Sequence, residues 1–169
     1  MAGLEDLYKE VILDHYRNPR CRGELDVPPA TMAEGFNPLC GDEVTVYTEV
    51  ADGRLERIRI AGQGCSISLS SASMMAERLE GCSLDEVDGV VATFNTLMSV
   101  HEASLGDAAA LDADGLPEDD ATPVADESSL GDLVALRGVL RYPRRIKCAT
   151  LGWTTLTKAL AESDIAAPR

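Results

Sequence analysis

At 169 residues, with 45% of them apolar, the chain is long enough for one domain with a respectable core, and the length argues against a second. No run approaches the roughly 18 apolar residues of a membrane span, and the opening Met-Ala-Gly-Leu-Glu-Asp has no signal-peptide pattern, so a cytoplasmic protein without a membrane partner is expected. The net charge of −14 is regional: no Lys or Arg lies between Arg78 and Arg137, where fourteen Asp and Glu fall, while the rest of the chain balances fifteen acids against fifteen bases. The lack of a basic face argues against nucleic-acid binding.

Leu4, Leu7, Tyr8, Val11 and Ile12 recur at helical spacing and predict an amphipathic helix over 4–16. Asn18-Pro19 stops it, because the residue before proline avoids the helical region. His15, near its end, lacks ligand spacing and reads as a packed or surface histidine rather than a ligand. Residues 21–37 are irregular, with a short edge strand expected around 31–36. Val44, Val46, Thr48 and Val50 alternate with Glu43, Thr45, Tyr47 and Glu49, the pattern of a half-buried strand over 43–50. Asp52-Gly53 signals a hairpin turn, and residues 54–60 supply the return strand with Ile58 and Ile60 inward. Gly62 and Gly64 allow a sharp turn into a helix that starts at Cys65 and ends near Gly81. Ser83 and Glu86 make a Ser-x-x-Glu capping box ahead of a helix striped by Leu84, Val87, Val91, Phe94, Leu97 and Met98. Residues 101–129 have no clear period and are expected to form a long acidic loop. A short helix over 129–139, a basic turn from Arg141 to Lys147 and a last helix from Cys148 to about Ser163 complete the chain.

Three of the five cysteines stand where chemistry is expected. In a reducing compartment, and with an odd count, cysteines serve as ligands or reactive thiols rather than disulfides. A thiol at a helix start faces unpaired N–H groups and the positive end of the dipole, which favours thiolate, and Cys65 and Cys148 are both expected there. Cys40 and Asp42 precede the first hairpin strand and Cys65 follows the second, so antiparallel pairing brings these three to one end of the sheet. Three thiolates and one carboxylate are a legitimate tetrahedral zinc set. Cys40, Asp42, Cys65 and Cys148 are therefore candidates to converge on one metal and sulfur site. The competing reading is separate buried cysteines, a common fate of free thiols, and it takes Cys21 and Cys82.

Asp14-His-Tyr-Arg-Asn-Pro-Arg, Asn37-Pro-Leu-Cys-Gly-Asp, Gly62-Gln-Gly-Cys-Ser-Ile-Ser, Ser71-Ala-Ser-Met-Met and Arg145-Ile-Lys-Cys-Ala-Thr-Leu resemble the SufU proteins, within the broader family of IscU and NifU N-terminal iron–sulfur scaffolds. The match runs in order from about Leu4 to Ala161. It implies an α+β fold, a small antiparallel sheet of about three strands with helices packed on one face, and it maps the family's three cysteines and aspartate onto Cys40, Asp42, Cys65 and Cys148. Two features depart from the IscU type. Lys147 stands where those members carry a histidine before the last cysteine, and Arg141-Tyr-Pro-Arg-Arg occupies the region of their Leu-Pro-Pro-Val-Lys motif.

The resemblance implies a zinc-dependent acceptor of persulfide sulfur from a SufS-type, pyridoxal-phosphate cysteine desulfurase, serving downstream iron–sulfur assembly components. Cys40 would be the acceptor, with Arg145 and Lys147 as stabilisers of its thiolate or simply a solvated turn. The alternative is a scaffold on which a [2Fe–2S] cluster is built and handed on, since thiolates suit both tasks.

Overall fold

The computed structural model describes residues 4–105 and 127–166. Helix α1 (Leu4–Arg17) precedes three strands, β1 (Thr31–Asn37), β2 (Asp42–Ala51) and β3 (Arg54–Gln63). Helices α2 (Ser66–Leu79) and α3 (Leu84–Leu105) follow, then a tight 3-10 segment (Glu127–Arg141) and α4 (Pro143–Ala166). The strands form one antiparallel sheet in the order β1-β2-β3. Asp52 and Gly53 both take positive φ, 53° and 72°, as the two-residue hairpin turn between β2 and β3 requires. The alternation read from sequence is kept: Val44, Val46 and Thr48 are buried, as are Leu55, Ile58 and Ile60 across the hairpin. Outside β3, Arg22 bridges to Ile60, so the segment after α1 covers part of that edge.

Helices α2 and α4 pack on the inward face. Helix α2 is buried along most of its length, with Ser68, Ser70, Ser71, Ala72 and Ser73 all nearly inaccessible. Such small side chains let neighbours come close: a Cβ on Gly152 of α4 would lie 3.2 Å from that of Ala72. Ser71 fastens the two helices, donating from Oγ to the Ala149 carbonyl at 2.6 Å and accepting from Trp153 Nε1 at 3.2 Å. Trp153 also stacks on Phe94 of α3, ring centroids 4.1 Å apart, joining three helices in one core. Against the sheet, a Cβ on Gly35 of β1 would overlap the Thr155 side chain, so α4 rests directly on the β1 backbone. Among the described residues no helix is long and apolar enough to cross a membrane.

Three boundaries differ from the sequence expectation. Helix α4 begins at Pro143 rather than Cys148, because proline's fixed φ suits a first helical position and its missing N–H costs nothing there. The expected basic turn is therefore largely the first turn of α4, and Cys148 lies beyond that turn, outside the strongest reach of the helix dipole. Helix α3 continues to Leu105, so residues 101–105 are helical; of the expected acidic loop, residues 106–126 lie outside the described residues. The short helix expected over 129–139 spans 127–141 and is kinked at Gly131 (φ 56°, ψ −129°).

Candidate metal centre

One end of the sheet gathers the functional side chains. Asn37, the last residue of β1, pairs with Asp42, the first of β2. Between them the Cys40 and Gly41 amides donate to the Asn37 carbonyl at 3.3 and 2.9 Å, a turn that leaves Cys40 exposed at its tip. Across the hairpin Gly62 faces Val44, and a side chain there would overlap the Glu43 carbonyl. Gly64 lies against Asp42, where a Cβ would come within 2.7 Å of Oδ1. The glycines therefore make room for the aspartate as much as they turn the chain.

Cys65 caps α2. Its backbone is extended (φ −72°, ψ 166°), and its Sγ accepts from the Ser68 N–H at 3.4 Å. Its own N–H donates to Asp42 Oδ1 at 2.7 Å, and its Sγ lies 3.8 Å from Asp42 Oδ2. Cys148 comes from α4 and is fully buried. Its Sγ lies 3.1 Å from Cys40 Sγ, well beyond the ~2.05 Å of a disulfide, and accepts from Asn37 Nδ2 at 3.4 Å. The same Asn37 amide reaches Asp42 Oδ2 at 3.4 Å. Cys40, Asp42 and Cys148 thus present ligand atoms within 4.8 Å of one another, and Cys65 joins the group through Asp42.

Burial pushes the Cys148 thiol well above its usual range, and hydrogen bonds with Cys40 and Asp42 and the charges of Cys65 and Asp42 push the same way. A protonated thiol is the resting state of such a group unless a cation offsets the local charge. Arg145 supplies part of that offset. Its Nη1 lies 3.9 Å from Cys40 Sγ, and the charges of Cys65 and then Cys40, with a hydrogen bond to Cys148, hold its guanidinium above the ordinary value. Arg144 and Arg145 sit in the first turn of α4, where the helix dipole disfavours cations, so helix stability does not explain them.

The description "NifU-like N terminal domain" matches residues 7–149. The chain is 34% identical over 163 residues to the zinc-dependent sulfurtransferase SufU of Bacillus subtilis (strain 168), covering 96% of this chain and 95% of that one. The chain belongs to the NifU-like N-terminal domain family. A second family member, the iron–sulfur cluster assembly scaffold protein IscU of Thermotoga maritima, is 33% identical over 91% of this chain and 92% of its own. The crystal structure of a family member assigned as a cluster assembly scaffold for the SUF system of Fervidobacterium islandicum AW-1 superposes with a TM-score of 0.71 at 28% identity, over 94% of this chain and 99% of that one. The N-terminal part of a NifU-like protein from Brucella abortus shares the fold, with a TM-score of 0.72 at 22% identity over 97% and 99%.

Within this family fold the four expected residues, Cys40, Asp42, Cys65 and Cys148, meet at one end of the sheet. Their chemistry fits a thiophilic cation: three sulfurs, one fully buried carboxylate, and an amide and a guanidinium arranged around them. Lys147 is exposed, and its ammonium makes no hydrogen bond or ion pair among the described residues. Cys21 lies elsewhere, 3.9 Å from Glu80 Oε2, and burial raises its thiol. Cys82 packs against Arg78. Sequence reasoning missed Asn37, whose amide reaches both Cys148 and Asp42; its place in the Asn-Pro-Leu-Cys-Gly-Asp stretch was the available signal.

Proposed function

We propose that this chain is a zinc-dependent sulfur acceptor in iron–sulfur cluster assembly. It takes persulfide sulfur at Cys40 from a SufS-type, pyridoxal-phosphate cysteine desulfurase in the cytoplasm and passes it to downstream assembly components. The observation that carries this reading is the contrast inside one cluster: Cys40 is exposed at the tip of a turn, while Asp42 and Cys148 beside it are 0% exposed. A partner's sulfur can reach Cys40, and the buried pair can hold a cation without meeting solvent. Likeness to a relative named as a zinc-dependent sulfurtransferase supports the same reading.

Cys40, Asp42, Cys65 and Cys148 would hold the zinc, which when bound keeps thiols deprotonated. The Cys40 thiolate attacks the outer sulfur of the partner's cysteine persulfide. That sulfur–sulfur bond breaks, the partner's cysteine leaves as a thiolate, and Cys40 ends as the persulfide, with no outside oxidant or reductant consumed. Arg145 stabilises negative charge on Cys40 before attack and on the persulfide after it. Asn37 orients Asp42 and Cys148, and Lys147 adds positive charge to the approach.

The test pairs the metal content of the protein purified without added metal with stimulation of a cognate cysteine desulfurase. Near-stoichiometric zinc, stimulation lost in Cys40→Ser, and one added sulfur on Cys40 by mass spectrometry are expected. Iron with acid-labile sulfide and no stimulation would overturn the proposal in favour of a [2Fe–2S] scaffold.

A further inference from the structure

Away from the cysteines, a second group of ligand-type side chains meets where α1, α2 and the 3-10 segment touch. His15 is 1% exposed at the end of α1. Its Nδ1 is hydrogen-bonded to Ser73 Oγ at 2.9 Å, and that hydroxyl also accepts the Arg20 N–H at 2.8 Å, which fixes the ring's orientation. The other ring nitrogen, Nε2, points at Glu77 Oε2 (3.6 Å) and Asp132 Oδ2 (3.8 Å). Both separations are longer than a hydrogen bond but within ion-pair reach, so Nε2 faces two carboxylates without being hydrogen-bonded to either. They are close to the spacing of about 3.0–3.6 Å between two donors that each sit about 2.0–2.2 Å from one cation.

We propose that His15, Glu77 and Asp132 form a second metal site, one that takes a first-row divalent cation through one imidazole nitrogen and two carboxylates. The three ligand atoms lie within 4.8 Å of one another. Glu77 stands one helical turn after Ser73, so the residue that orients the imidazole and the residue that faces it share one side of α2. Asp132 reaches the site because the chain kinks at Gly131 immediately before it. The carboxylate side chains are 50% and 68% exposed and border a cleft also lined by Met74, Leu130, Leu133 and Arg78, whose charge opposes a cation and whose guanidinium donates to Cys82 Sγ at 3.5 Å. Solvent can therefore supply the remaining coordination positions.

The tautomer in which Nδ1–H donates to Ser73 Oγ leaves the Nε2 lone pair facing the two carboxylates. Arg20 opposes the cation, since its charge also acts on His15, but its guanidinium is engaged by Asp14 at 2.6 Å. Nitrogen and carboxylate ligands suit Mn2+, Fe2+, Co2+ and Zn2+, whereas the cysteine cluster selects thiophilic ions. The two sites share no residue and take different chemistry. A cation here would join three segments that are far apart in sequence.

Mn2+ is the probe, because it has little affinity for thiolates and leaves the cysteine cluster silent. The reduced full chain is titrated with Mn2+, following free aqueous Mn2+ by electron paramagnetic resonance and the His15 ring protons by NMR. One bound Mn2+ per chain with selective broadening of His15 is expected. Glu77→Gln and Asp132→Asn, both on partly exposed side chains, should each weaken that binding about tenfold or more, while Glu56→Gln, on an exposed position of β3, leaves it unchanged. Absence of His15 broadening, or Mn2+ affinity indifferent to Glu77→Gln and Asp132→Asn, overturns the proposal.

Discussion

Gly64→Ala is the most incisive single change to the cysteine site, since it adds one methyl group and alters no charge or ligand. Gly64 has an ordinary backbone φ, so alanine brings no conformational strain. Its Cβ would stand 2.7 Å from Asp42 Oδ1 and 3.1 Å from Asp42 Cβ and Cγ. Restoring ordinary contact at 3.4 Å moves the carboxylate by about 0.7 Å. Asp42 begins β2 with its side chain fully buried, so it can yield only by turning away from the Cys65 N–H that it accepts at 2.7 Å. Metal–ligand distances tolerate about 0.2 Å, and displaced supporting contacts typically weaken affinity 10–100-fold. Zinc affinity, measured by competition with a chromophoric chelator, should fall by about that factor. The fold should lose roughly 1–3 kcal/mol, the usual range for overpacking, and retain its helical circular dichroism. Unchanged zinc affinity with a folded variant would refute the idea that the buried carboxylate's position governs the site.

Arg145→Gln should slow sulfur acceptance severalfold at low salt, with the difference shrinking as salt is added and zinc stoichiometry unchanged, read from desulfurase stimulation across ionic strengths. Gly89→Ala, inside α3 with open space around the new Cβ, should stabilise by about 0.8–1 kcal/mol and raise Tm by about 2–4 °C in a thermal melt while leaving zinc affinity alone. The Ser83 N–H donates to Glu86 Oε2 at 2.9 Å and holds that carboxyl below its ordinary value. The resulting stability is complete above the unfolded glutamate pKa and is lost as pH falls through the folded one, so Glu86→Gln should flatten the acid limb of a denaturant-midpoint profile.

Much of the fold was legible because its signals are local. Alternation along 43–60 with Asp52-Gly53 between the strands fixed the hairpin, and Ser83 with Glu86 marked the start of α3. The hairpin in turn foretold that Cys40, Asp42 and Cys65 share one end of the sheet. The start of α4 is hidden in sequence because the basic residues around Pro143 carry no apolar period, whereas the proline at a first helical position is favourable. Asn37 and the His15 group were out of reach for another reason. What they touch is decided by packing between distant segments, and a lone histidine or asparagine carries no periodic mark of that. The glycines at 62 and 64 signal a turn in the sequence, and the room they leave beside Glu43 and Asp42 is visible only with the sheet in place.

The four cysteine-site side chains come from a turn, a strand end, a helix cap and the body of the last helix, so no part of the unfolded chain offers them together. Ligand binding that requires the folded state adds to its stability by mass action, by about 1.4 kcal/mol for each tenfold rise of free metal above the dissociation constant. Against the 5–15 kcal/mol that typically separates folded from unfolded domains, a hundredfold swing in available zinc is a large fraction. The standing population of intact molecules, and their survival against proteolysis, would then track metal supply before any sulfur is handled.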